Sequence, residues 1–149
     1  MAASTDAPPT AIIILFPLAF IGLWLVVGTL LSEFSGWPSL ARQFPGGKRP
    51  TGRRLWRSVV QMGAVSEHGV TVLIPTVDGL YMYSHPLFRF HRRPIMLPWR
   101  EIQYAGERGR WWWRRAVLQL GHSTPMAVTP AAYAVLAPYI AQSRDRPAA

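Results

Sequence analysis

From Ala11 to Leu31 the chain reads AIIILFPLAFIGLWLVVGTLL, and no charged residue occurs between Asp6 and Glu33. A helix of that length rises about 30 Å at 1.5 Å per residue, the thickness of a bilayer's hydrocarbon core. A core helix of a globular protein would show a polar face over such a span, and this segment shows none. Pro17 and Gly22 lie inside it, which a membrane helix tolerates. A cleaved secretory signal would need a basic leader, a shorter apolar stretch and an A-x-A-like cleavage site. The leader MAASTDAPPT has no basic side chain, so a retained transmembrane helix over residues 11–32 is the expectation.

Charge sets its direction. All 16 Lys and Arg follow the apolar run, beginning at Arg42, and 15 of them are arginine. Residues 34–149 hold those sixteen cations against five acids, a formal net charge of +11. By the positive-inside rule, residues 1–10 form a short extracytoplasmic tail and everything after the helix is cytoplasmic. The expected location is the inner or cytoplasmic membrane. Residues 33–54 hold Trp37, Arg42, Lys48, Arg49, Arg53 and Arg54 among several Gly and Pro. They read as a linker lying along anionic headgroups, with Trp37 as an interfacial anchor. Such charges also serve simply to set topology, and an arginine excess also follows from a GC-rich genome.

Residues 55–142 leave room for one small domain, and 143–149 read as a flexible tail. The pattern is of short strands: Leu55–Met62, Gly69–Pro75, Asp78–Ser84, Ile95–Trp99 continuing into Glu101–Ala105, Trp111–Leu120 and Met126–Val128. Leu80, Met82 and Ser84 should share one face, with Tyr81 and Tyr83 on the other. Gly106–Gly109 reads as a turn. Thr129 is a plausible N-cap, Pro130 a first helical residue, and Tyr133, Leu136 and Ile140 one face of a final helix, with Pro138 expected to kink or end it. The predicted class is therefore a membrane-anchored, mostly β chain: about seven strands in a small barrel or sandwich, closed by a C-terminal helix.

That element order, with Asp78-Gly79-Leu80-Tyr81, Pro98-Trp99-Arg100-Glu101-Ile102 and the final helix, resembles the pleckstrin-homology-like domains of small single-span bacterial membrane proteins. The resemblance covers roughly Leu55 to Gln142. It implies a scaffold that binds lipid headgroups, peptides or other proteins. One departure is clear: phosphoinositide-binding members carry basic residues between their first two strands, and here Gly63 to Gly69 (GAVSEHG) has none.

Two basic-aromatic strings stand out. Arg108 to Arg115 (RGRWWWRR) would, as a strand, send Trp111 and Trp113 to one face and Trp112 to the other. Trp111 and Trp113, ringed by Arg110, Arg114 and Arg115, form a candidate docking face for the chain's own helix, a partner protein or the membrane. The second string, around Phe88, Arg89, Phe90, Arg92 and Arg93, reads either as an interfacial loop meeting phosphates or as an edge strand blocked by arginine.

Catalytic signatures are lacking. With no cysteine, thiolate catalysis, disulfides and cysteine-bound metals are excluded. His68, His85, His91 and His122 are scattered, and no Walker or GxGxxG pattern occurs. No catalytic residue, metal site or cofactor is expected, and no nucleic-acid signature accompanies the arginines. The sequence therefore predicts a non-enzymatic accessory or scaffold protein whose basic domain docks on a larger membrane-protein complex. The alternative is a module that binds anionic phospholipid headgroups.

Overall fold

A computed structural model of the chain describes residues 10–66, 68–86 and 92–145. The apolar run forms helix α1, Thr10–Phe34, with its large side chains exposed all round. At 25 residues it is long and apolar enough to cross a membrane. Within it the Thr29 hydroxyl donates to the Leu25 carbonyl at 2.8 Å. Gly36 ends the helix: its φ of +73° gives the left-handed turn that an L side chain resists. A Cβ there would also press on Thr124.

The next element revises the expected linker. Trp37–Gln43 form a second helix, α2, opened by Pro38 in its first turn. Trp37, Leu40 and Ala41, at i, i+3 and i+4, are buried together in the main core. Trp37 is 0% exposed and its indole N–H donates to the Arg93 carbonyl at 2.8 Å, so it is a core residue rather than an interfacial anchor. The reason is the left-handed Gly36 turn, which folds the chain back so that the apolar face of α2 meets the β domain. Beyond α2 the chain still follows the domain. Gly46 donates to the Pro94 carbonyl and Met96 donates to Phe44, which gives the domain an extra edge.

Eight strands are described: β1 Val59–Met62, β2 Val65–Ser66, β3 Thr71–Pro75, β4 Gly79–Ser84, β5 Ile95–Pro98, β6 Ile102–Arg108, β7 Arg115–Leu120 and β8 Thr124–Val128. They form two antiparallel sheets, one ordered β2-β1-β8-β7-β6 and the other β3-β4-β5. Leu73, Leu80, Met82, Ile95 and Leu97 from the smaller sheet meet Val59, Met62, Leu118, Leu120, Met126 and Val128 from the larger in one core. The alternation expected for Asp78–Ser84 holds on the inner side, where Leu80, Met82 and Ser84 are buried. Tyr81 is buried as well, and Tyr83 half-buried. Leu55–Ser58 are not strand: Leu55 makes an isolated bridge to Leu73, and Arg57 takes a positive φ of 53°.

Helix α3, Pro130–Asp145, closes the domain. Thr129 caps it, its hydroxyl accepting from the Ala132 N–H at 3.3 Å. Ala132, Leu136 and Ile140 are buried in a stripe, and Tyr139 stacks on Trp99 with ring centroids 5.0 Å apart. Pro138 neither ends nor interrupts the helix, which runs on to Asp145. It lies on the exposed side, while the buried residues before and after it hold the turn in place. The helix therefore also includes residues 143–145, expected to be tail.

Trp37→Ala should lower the stability of the full-length chain in mild detergent by about 3–5 kcal/mol, the cost of emptying a buried tryptophan site. Denaturant titration checks this. A surface anchor would cost under about 1 kcal/mol.

Candidate functional site: an exposed tryptophan knuckle

Strand β7 begins only at Arg115, so the three tryptophans are not a strand and do not alternate. Trp111–Trp113 form a single 3-10 turn, with the Trp113 N–H donating to the Arg110 carbonyl at 3.0 Å and the Arg114 N–H to Trp111 at 3.3 Å. Two backbone conformations make the turn. Trp111 has φ +43°, and Gly109 has φ +100° in a spot where a Cβ would collide with the Trp113 carbonyl. Gly109 is thus required by both conformation and space. The predicted turn at Gly106–Gly109 begins later than expected, because residues 106–108 belong to β6. Their pairing with β7 is offset by a bulge between Tyr104 and Gly106.

All three indoles are open: Trp111 is 81% exposed, Trp112 75% and Trp113 61%. Among the described residues neither α3 nor the segment after α1 covers them, unlike the covering by the chain's own helix or linker entertained from sequence. Trp112, which strict alternation sends to the opposite face, belongs to the same knuckle, its ring centroid 5.2 Å from that of Trp111. The flanking arginines hold positions around it. The Arg115 guanidinium lies 5.9 Å from the Trp113 centroid, within cation–π range. Arg114 reaches Glu107 across the hairpin at 3.6 Å, an exposed pair that leaves Arg108 and Arg110 to dominate the local charge. The knuckle is hydrophobic at its centre and cationic at its rim.

Its placement follows from strand direction. Leu120, at the end of β7, pairs with Thr124, and Thr124 packs against Gly36 at the end of α1. The β1–β2 turn lies at the same place: Gly63 packs on the Ser35 carbonyl, and the Ala64 N–H donates to that of Phe34. The knuckle caps the other end of β7, about 17 Å along the strand at 3.3 Å per residue. The buried residues of the hairpin stop at Ile102 and Ala116, and every β6 residue from Gln103 on is exposed or half-exposed. Strand β6 is therefore an open sheet edge, and because β7 pairs with β8 from Ala116 to Leu120, only the tip from Arg108 to Arg115 runs past the sheet. On β6, Tyr104 stacks on Tyr133 of α3, centroids 4.9 Å apart. Desolvation, and then the Glu107 carboxylate, raise its hydroxyl pKa above the usual tyrosine value, so it adds no negative charge to the hairpin near neutral pH.

The other predicted site residues are dispersed. Arg42, Lys48, Arg53 and Arg54 are exposed, and Arg93 is exposed with its carbonyl bound to Trp37. Arg49 lies over the Tyr83 ring at 3.9 Å, and Arg92 is buried beside Trp37 at 5.3 Å. Phe88, Arg89 and Phe90 lie outside the described residues. Among the described residues no group of three or more His, Asp or Glu could hold a metal ion. No protein-family model, curated protein or solved structure matches the chain.

Replacing Trp111, Trp112 or Trp113 singly by Ala should change the melting temperature of the purified protein by no more than about 2 °C, since exposed side chains contribute within about 0.5 kcal/mol. Gly109→Ala should cost more than any of them, because it strains the turn itself. Thermal melts of the four variants side by side test the ranking.

Proposed function

We propose that this chain is a membrane-anchored, non-enzymatic docking subunit: α1 spans the bilayer and the β domain presents its tryptophan knuckle to a cytoplasmic partner within a larger membrane-protein complex. The observation that carries this reading is the exposure of three adjacent tryptophans at the tip of a hairpin. Each indole hides about 150–250 Å² when covered, and at about 25 cal/mol per Å² leaving all three in water forgoes several kcal/mol. Tryptophan and arginine are also the residues that most often carry binding energy at interfaces. The partner's complementary surface is an apolar groove with an acidic rim, since the knuckle is edged by arginine.

Position argues for a protein partner over the lipid surface. The knuckle sits at the strand end opposite the α1 junction, which favours reach away from the headgroups. The positive-inside distribution supports a cytoplasmic domain. Two antiparallel sheets closed by one C-terminal helix also support the pleckstrin-homology-like reading, a scaffold on which docking surfaces are built without chemistry of their own.

Affinity purification of the full-length chain from its native membranes in mild detergent tests the proposal. A stoichiometric membrane complex should co-purify with the wild type at moderate salt, and fall at least tenfold with Trp111→Ala/Trp112→Ala/Trp113→Ala. Equal recovery with both proteins, or recovery of the chain alone in both, overturns it.

A further inference from the structure

The two sheets have four outer edges, and three of them are closed or very short. Beside β3, Leu55 exchanges both backbone bonds with Leu73, at 2.8 and 3.2 Å. Beside β5, the Gly46 N–H donates to the Pro94 carbonyl and the Met96 N–H to that of Phe44. Strand β2 has only two residues. Strand β6 differs: it has seven residues, and among the described residues no backbone group outside β7 bonds to Ile102–Arg108. An edge strand turns the N–H and C=O of alternate residues outward, and natural proteins block such rows with lysine, proline, a bulge or a covering segment. IQYAGER contains neither lysine nor proline, and its one such device is the bulge between Tyr104 and Gly106.

The edge also has a sign. Its acids are already paired, Glu101 with Arg100 at 3.7 Å and Glu107 with Arg114 at 3.6 Å, whereas exposed Arg108 and Arg110 at the outer end have no ion-pair partner among the described residues. We propose that β6 takes an extended acidic segment of the partner as a sixth strand of the larger sheet, backbone bonded to backbone, with Arg108 and Arg110 selecting its charge. The proposal rests on the docking reading and gives the partner its shape, since the segment that lies along β6 leads directly to the tryptophan knuckle. A second copy of the chain does not fit this edge. Copies anchored in one membrane would each run β6 away from the α1 end, so two such edges could meet only in parallel. Parallel pairing is slightly weaker, bulges within it are rare, and in register it would set Arg108 against Arg108. A separate extended segment is free to run in either direction and to follow the twist of the bulge.

The test places a benzophenone amino acid at Gln103, Glu107 or Trp112 of the full-length chain, all exposed positions, irradiates native membranes and maps each adduct by mass spectrometry. On β7, Gln103 and Glu107 face Gln119 and Ala116, three residues apart because the bulge takes up one. An added strand should show a similar step: positions 103 and 107 should label one contiguous acidic segment of a single protein, about three residues apart. Position 112 should label that same protein. Arg108→Glu/Arg110→Glu should cut the adduct from position 103 about tenfold, whereas Arg53→Glu/Arg54→Glu, the same charge change at exposed residues away from β6, should leave it unchanged. A protein adduct at 112 with none at 103 and 107 overturns the added strand and leaves the knuckle reading standing. No protein adduct at 112 removes the docking reading and the strand with it. Labels scattered over unrelated segments, labels on a second copy of this chain, or a yield indifferent to the Arg108/Arg110 change also overturn the proposal.

Discussion

The burial of Trp37 joins the two parts of this molecule. The apolar helix must end at a point where the chain can turn, and Gly36 supplies the left-handed residue that allows it. The indole that follows goes into the core at 0% exposure and donates its N–H to the Arg93 carbonyl, 56 residues further on. Leu40 and Ala41 extend the contact, and the β1–β2 turn closes on the carbonyls of Phe34 and Ser35. A helix end tied down by a buried aromatic, a short helix and a hairpin is not a flexible tether. The domain is held against the end of α1, and every surface of it acquires a fixed height relative to that end.

That fixed height gives the hairpin tip its meaning. Strand β6 is the edge of its sheet, but β7 pairs with β8 from Ala116 to Leu120, so only Arg108 to Arg115 run past the sheet. The hairpin is backed by Tyr104 on Tyr133, and its tip is shaped by the Gly109 turn, with the Glu107–Arg114 pair beside it. The result is a firm support for three side chains that water does not favour. Presenting them on an ordered turn lowers the entropy lost on association, which is how a small contact acquires affinity.

Much of the architecture was legible in the sequence, because it rests on period and punctuation. The uncharged run, the Asp78-Gly79 turn before β4, the Thr129-Pro130 helix start and the Leu136–Ile140 stripe are local signals, and each lies where its pattern put it. Three features were not legible, for different reasons. Residues 37–43 sit among Gly, Pro and Arg, and only the distant Arg93 carbonyl and the core make Trp37 an interior residue. The tryptophan triplet has strand propensity, but the positive φ values at Gly109 and Trp111 break the strand before Arg115. Strand alternation would have hidden Trp112, whereas a tight turn exposes all three. The open edge of β6 has no mark in its own residues, since which strand ends a sheet is set by the pairing order of the whole chain.

Site-specific photocrosslinking from the knuckle would show whether a protein covers it. A benzophenone amino acid placed at Trp112 of the full-length chain, irradiated in intact native membranes, reports what touches that tip. Val77, equally exposed on the β3–β4 turn, serves as the control position. A knuckle that docks on a protein should give one discrete protein adduct from position 112 and none of that size from position 77. Lipid adducts alone, or the same products from both positions, would contradict it.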